Sequence, residues 1–113
     1  MEITAKLERT VMIISLVGNL DVATTSQVNE FLARQLQDGR AKLVADFSQL
    51  AYLSSIGLRV LLTAVKEARR QGGDVRLAAI QSNYVDKVLR MSGFSNILKV
   101  YPDTPTAVAS FAA

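Results

Sequence analysis

The chain contains no cysteine and no histidine among its 113 residues. Those absences remove disulfides, thiolate nucleophiles, imidazole acid–base chemistry and every zinc site built from Cys or His. Catalysis would fall to Asp, Glu, Lys, Ser, Thr or Tyr, or to a partner, so the expectation is a protein that is not an enzyme and carries no cofactor. Long apolar runs are also missing. The richest, Val11-Met12-Ile13-Ile14, stops at Ser15, far short of the ~20 residues that cross a bilayer. The opening Met1-Glu2-Ile3-Thr4 shows no basic leader followed by an apolar stretch, which makes a cytoplasmic protein with no membrane partner the expectation. Nucleotide loops are absent: no Gly-x-Gly-x-x-Gly follows a strand pattern, and no Gly-x-x-x-x-Gly-Lys occurs, so autonomous phosphate cleavage has no machinery here. The charge balance is +3, but the basic residues are scattered. Only Arg69 and Arg70 are adjacent, just after Glu67, which reads as a solvated helix face rather than a direct nucleic-acid footprint.

What is present is enough for one domain over residues 1–113. Half of the residues are hydrophobic, and a chain of this length buries roughly two-thirds of its unfolded surface. Ile3, Ala5 and Leu7 alternate with Glu2, Thr4 and Lys6, the period of a half-buried strand. Val11 to Val17 reads as a second strand, joined to the first in an antiparallel hairpin through Glu8-Arg9-Thr10. Thr24-Thr25-Ser26 offers N-caps for a helix that turns Val28, Phe31, Leu32 and Leu36 inward and ends at Gly39. Leu43-Val44-Ala45 is a buried strand ending at Asp46. A second helix begins near Ser54-Ser55, with Leu58, Leu61, Leu62, Val65 and Ala68 on one face, and Gly72-Gly73 stops it.

Val75 to Ile80 forms the next strand, and Ser82 caps a third helix with Val85, Val88 and Leu89 inward, closed by Gly93. Ile97 to Val100 is a last short strand. Thr104 followed by Pro105 opens a terminal helix around Val108 and Phe111. The order is β-β-α-β-α-β-α-β-α, an α/β class with a mixed, mostly parallel sheet and right-handed crossovers.

Chemistry in such a sheet belongs beyond the carboxyl ends of the strands, beside helix N-termini. Three segments are expected there: Gly18-Asn19-Leu20-Asp21, Asp46-Phe47-Ser48, and Tyr52-Leu53-Ser54-Ser55-Ile56-Gly57. Ser54 and Ser55 read either as simple caps or as hydroxyls on which a phosphate would face unsatisfied N–H donors. Asp21 and Asp46 read either as turn residues or as part of a site. A metal enzyme built on Asp21 and Asp46 ranks last, because two isolated carboxylates lack a suitable base. A receiver-type phospho-Asp domain fits the order of elements poorly.

Taken together, Gly18-Asn19-Leu20-Asp21, Asp46-Phe47-Ser48, Tyr52-Leu53-Ser54-Ser55-Ile56-Gly57-Leu58 and Met91-Ser92-Gly93-Phe94 resemble the STAS domain of bacterial anti-sigma factor antagonists, in register over nearly the whole chain. The resemblance implies a substrate and binding module rather than a catalyst. It implies a partner, an anti-sigma factor serine kinase of the histidine-kinase-like ATPase fold, which phosphorylates a serine at the start of the second helix. The unmodified form binds that partner, and a metal-dependent serine/threonine phosphatase restores it. The family's Asp-Ser-Ser/Thr-Gly becomes Ser54-Ser55-Ile56-Gly57 here, placing the acceptor on Ser55 with Ser54 as rival. The Asp before the acceptor is replaced by Ser54, and Ile56 follows it.

Partner contacts are expected from Asp21, Asp46, Ser54, Ile56, Gly57, Leu58 and Arg59. Arg59 pairs with the phosphate, touches the partner or faces solvent. A dianion desolvated beside Ile56 and Leu58 at a cost of ~3 kcal/mol would weaken binding about 100-fold. A second reading keeps the fold without the switch: a scaffold or accessory subunit of a lipid transporter or stressosome-like assembly.

Overall fold

The longest strand changes partners halfway, and the rest of the sheet is arranged around that change. In the computed structural model, which describes residues 1–112, β1 (Glu2–Glu8) and β2 (Val11–Leu20) form the antiparallel hairpin. Arg9 turns it with φ +57°. β2 runs parallel to β3 (Lys42–Asp46) from Met12 to Ser15, then pairs parallel with β4 (Leu50–Leu53) from Gly18 to Leu20. The ladder shifts register at Gly18, whose φ of +118° suits a residue without a Cβ. β5 (Asp74–Ala78) and β6 (Val100–Tyr101) complete the order β1-β2-β3-β5-β6. Among the described residues there are six strands and four helices: α1 (Thr25–Gln37), α2 (Ser55–Arg70), α3 (Asn83–Met91) and α4 (Thr104–Ala109).

The expected α/β class and its antiparallel start therefore stand, with particular corrections. A strand, β4, lies between β3 and α2 where a loop was expected, so the order is β-β-α-β-β-α-β-α-β-α. Gly18-Asn19-Leu20 belongs to β2 rather than to a loop after it. β5 stops at Ala78 because Ala79 turns to φ +60°, and β6 lies three residues later than the apolar run suggested. α4 is capped by Asp103, whose carboxylate accepts from the Thr106 N–H at 2.8 Å, and not by Thr104. In β1 only Ile3 packs on the core; Ala5 and Leu7 are exposed.

Two apolar layers flank the sheet. On one face Val28, Leu32 and Leu36 of α1, Leu58, Leu61 and Val65 of α2, and Val85 and Leu89 of α3 close over Ile14, Leu16, Leu43 and Leu77. Most of these are the inward helix residues that periodicity predicts; Phe31, Leu62 and Val88 are only partly buried against the same core. The other face is thinner, with Val11, Val44 and Ala78 under Ala107, Val108 and Phe111.

Acid weakens two of the surface devices that hold the helices. Hydrogen bonds from Arg70 and Gln71 hold the Glu67 carboxyl down to about 2 from an ordinary 4.5, and the Thr106 contacts lower that of Asp103. The folded chain therefore binds these protons later than the unfolded chain. Their stabilisation is complete above the unfolded values and fades as pH falls through the folded ones. The urea midpoint is expected to drop between pH 4.5 and about 2, and Glu67→Gln to flatten part of that slope. The effect is small because Glu67 is screened by solvent; an unchanged slope in the variant would contradict the assignment.

Candidate functional site

The end of β2, the end of β4, the start of α2 and the start of α3 meet at one corner. Asn19 lies beside Tyr52 and Leu20 beside Leu53 in the ladder. The Ser54 N–H donates to the Leu20 carbonyl at 2.9 Å, and the Ser82 hydroxyl donates to the Ala51 carbonyl at 3.2 Å. Gly57 makes this closeness possible: a Cβ there would stand 2.7 Å from Leu20 Cγ and 3.0 Å from the Leu20 carbonyl oxygen. Its role is thus close packing of α2 on β2, and it is buried, as is Leu58. Gly57 has no side chain to offer a partner, and Leu58 reaches the surface only as part of a cleft wall.

The two serines divide the roles that sequence left open. Ser54 has extended backbone, and its Oγ accepts from the Gly57 N–H at 3.0 Å, so it is the N-cap of α2. Ser55 is the first helical residue. It is exposed, and its hydroxyl makes no hydrogen bond among the described residues. A group added to Ser55 Oγ would sit at the positive end of a 16-residue helix.

Around Ser55 the surface is unusually apolar. Ile56 is 44 % exposed, Tyr84 49 % and Met91 75 %. Tyr52 and Tyr84 stack with ring centroids 5.0 Å apart, and the neighbouring Tyr84 hydroxyl, with a smaller push from the Asp21 carboxylate, holds the Tyr52 phenol above its ordinary value. A cleft of about 410 Å³ opens between α2 and α3, lined by Ser55, Leu58, Tyr84, Lys87, Val88 and Met91 along with Ser92. Leu58 contributes to that cleft from a largely buried position. Lys87 is a cation in the same cleft as Ser55.

The remaining expected residues are placed less closely. Asp21 shapes the exit from β2: its Oδ1 accepts from the Ala23 N–H at 3.0 Å, and its own N–H donates to Thr24 Oγ1 at 3.0 Å. Thr24 Oγ1 also donates to the Asn19 carbonyl at 2.7 Å; with its acceptor turned to the Asp21 N–H, it gives α1 no side-chain cap. Asp46 is held in its own turn by the Ser15 hydroxyl at 3.2 Å and the Ser48 N–H at 2.9 Å. It pairs with Ser15 while Ser54 bonds at Leu20, roughly 16 Å further along β2 at the usual strand rise. The expected three-way convergence is thus a two-way one, with Asp46-Phe47-Ser48 set back.

Arg59 is exposed and lines a separate shallow groove against α1 with Thr25, Ser26 and Ile56. Sequence reasoning missed Tyr84 and Lys87 as neighbours of Ser55; the nearness of Met91-Ser92 in the same motif set was the available signal. A larger cleft, about 610 Å³, lies between α1 and α2 at the far end of α2, with Glu67 and Arg70 among its lining.

No helix among the described residues is long and apolar enough to cross a membrane. Residues 2–107 match the family model for the STAS domain. Over 100 residues the chain is 34 % identical to BtrV of Bordetella bronchiseptica, named as an anti-sigma factor antagonist, covering 88 % of this chain and 85 % of that one. Among solved structures, an anti-sigma factor antagonist of Thermotoga maritima superposes with a TM-score of 0.90 at 19 % identity, covering 98 % of this chain and 95 % of that one. SpoIIAA of Bacillus, solved in its phosphorylated form, superposes with a TM-score of 0.73 at 20 % identity, covering 96 % of this chain and 98 % of that one.

Proposed function

The chain belongs to the STAS domain family, and from that premise we propose that it is an anti-sigma factor antagonist that works by partner switching. The unphosphorylated chain binds an anti-sigma factor serine kinase of the histidine-kinase-like ATPase fold. The kinase transfers the γ-phosphoryl group of ATP to Ser55 Oγ, the hydroxyl proton leaves, and ADP is the other product. A metal-dependent serine/threonine phosphatase hydrolyses the ester and restores the binding form. The chain itself is a phosphoryl acceptor and a docking surface, with no catalytic residue and no cofactor of its own, and it acts in the cytoplasm.

One observation carries this reading: of two adjacent serines, Ser54 spends its hydroxyl on capping while Ser55 leaves its own free and exposed amid Ile56, Tyr84 and Met91. That surface suits a partner, and a dianion in its middle would have to be desolvated when the partner docks. The relatives named as anti-sigma factor antagonists support the choice of partner, and the existence of a phosphorylated SpoIIAA supports the chemistry.

The test is incubation with the cognate kinase and Mg-ATP, read by intact mass and peptide mapping. One phosphate is expected, on Ser55, and phosphorylation is expected to weaken kinase binding about 100-fold, or ~3 kcal/mol. Ser55→Ala should bind and resist labelling. Ser54→Ala should still be labelled while losing ~1 kcal/mol of stability with its cap. Label on Ser54, or tight association that phosphate does not alter, would sink the reading; the latter outcome is that of a non-switching scaffold subunit.

A further inference from the structure

Among the described residues, strand β1 ends the sheet and pairs only with β2, which leaves its outer edge open. Such an edge presents a row of unpaired N–H and C=O groups, usually blunted by charge, bulges or brevity. Here the strand has seven residues, its ladder with β2 runs unbroken from Glu2 to Glu8, and the side chains on it are patterned. Ile3, Ala5 and Leu7 lie opposite Leu16, Ile14 and Met12, on the helix-covered face of the sheet. Ala5 and Leu7 are nevertheless exposed, Leu7 at 56 %. Glu2, Thr4, Lys6 and Glu8 occupy the opposite face.

We infer that this edge is a self-association surface, on which β1 of a second copy pairs antiparallel about a two-fold axis through Thr4. The occupant follows from register. Directly opposed residues of an antiparallel pair share a face and alternate together in hydrogen bonding, so only registers that pair odd with odd and even with even keep Leu7 on the apolar side. Three such registers use most of the strand. A two-fold axis through Ala5 sets Glu2 against Glu8 twice, and one through Lys6 sets lysine against lysine. The axis through Thr4 sets Glu2 against Lys6 on both sides, Ile3 against Ala5, and Leu7 beside Met1. That register is complementary in charge and in face at once, as an isologous contact requires.

The resulting dimer is a continuous sheet with a two-fold axis at its centre. An edge-to-edge contact of this size falls in the weak class, below about 1,200 Å². β4 and the Ser55 corner lie on the other side of β2 from β1, so the dimer leaves both Ser55 sites open and presents two phosphorylation sites in one particle. The surface does not depend on what docks at Ser55.

Cysteine cross-linking in a chain without native cysteine tests the contact directly. Opposed Cα atoms in such a pair lie about 4.5–5.5 Å apart, within the ~4.4–6.8 Å range of a disulfide. Thr4→Cys is therefore expected to form a covalent dimer on mild oxidation, and Ala5→Cys, displaced by two residues from its symmetry mate, is not. In sedimentation the unmodified chain should show a concentration-dependent dimer. Lys6→Glu should weaken it at least about tenfold by setting glutamate against glutamate, and Glu2→Lys with Lys6→Glu should restore it. Failure of Thr4→Cys to cross-link at high protein concentration, or faster cross-linking of Ala5→Cys, would overturn the proposal.

Discussion

Asp74→Ala is expected to remove about 3 kcal/mol of stability, the cost of leaving the buried Val75 N–H, the half-buried Arg76 and the more exposed Arg69 without their shared acceptor. Asp74 is 3 % exposed and is the one buried charged residue among those described. Its Oδ1 accepts from Arg69 Nε at 3.0 Å and from the Val75 N–H at 2.9 Å, and its Oδ2 accepts from Arg76 Nε at 3.0 Å. Each arginine goes on to hold something else. Arg69 donates to the Ile97 carbonyl at 2.6 Å, and Arg76 donates to the Ser110 carbonyl and hydroxyl and lies 4.1 Å over the Phe111 ring.

The carboxylate thus joins the start of β5 to the end of α2, the segment before β6 and the end of α4. Its loss should lower the urea midpoint and, more tellingly, the amide-exchange protection of α4, whose own apolar layer is thin. The exposed Asp86–Arg90 and Glu67–Arg70 pairs are screened by solvent and contribute far less than this buried carboxylate. A loss below about 1 kcal/mol for Asp74→Ala would mean the arginines find water instead, and the clamp would be no clamp.

None of that network is visible in local sequence pattern, and the reason is physical. Periodicity reports which side of an element is apolar, so α2 and α3, with their apolar residues at helical spacing and their serine caps, are legible nearly to the residue. Asp74 reads as a polar start to a strand because the network it anchors reaches, through Arg69 and Arg76, to α2, to Ile97 before β6 and to Ser110 after α4. Strand β4 escapes for a related reason: Leu50-Ala51-Tyr52-Leu53 does not alternate, and only its terminal leucines are buried. Its partner, the far half of β2, is 30 residues away, and its place depends on the register shift at Gly18.

The Ser55 corner was half legible. Both serines announce a helix start, but which of them is the cap depends on one hydrogen bond to the Gly57 N–H. The position of Lys87 and Tyr84 beside Ser55 depends on how α3 crosses back over the sheet. In β1 the alternation of Ile3, Ala5 and Leu7 marks one face, yet only Ile3 packs on the core, since no helix covers the rest of the strand at the sheet edge.

Gly73→Ala is expected to cost about 2–4 kcal/mol, although alanine is usually the mildest of replacements. Gly72 stops α2 with φ +88° and open space around it. An alanine at Gly72 meets only the left-handed backbone penalty of roughly 1 kcal/mol. Gly73 is the opposite case. Its backbone is outside the left-handed region, but an added Cβ would lie 1.9 Å from the Ala41 carbonyl oxygen and 2.4 Å from its carbon.

Those atoms are backbone and cannot swing aside. The same carbonyl accepts from the Asp74 N–H at 2.9 Å and opens the β3–β5 ladder, in which Lys42 pairs with Asp74. Relief requires β5 to move off β3 at its first residue, which adds overpacking strain of about 1–3 kcal/mol to a lost buried hydrogen bond of about 1 kcal/mol. The displacement would also drag Asp74 from Arg69 and Arg76, so Gly73→Ala combined with Asp74→Ala should cost less than the sum of the two, as coupled neighbours do. Urea denaturation of the two single variants and the double variant measures this directly. Strict additivity would show that the start of β5 yields to the methyl group without disturbing the buried carboxylate.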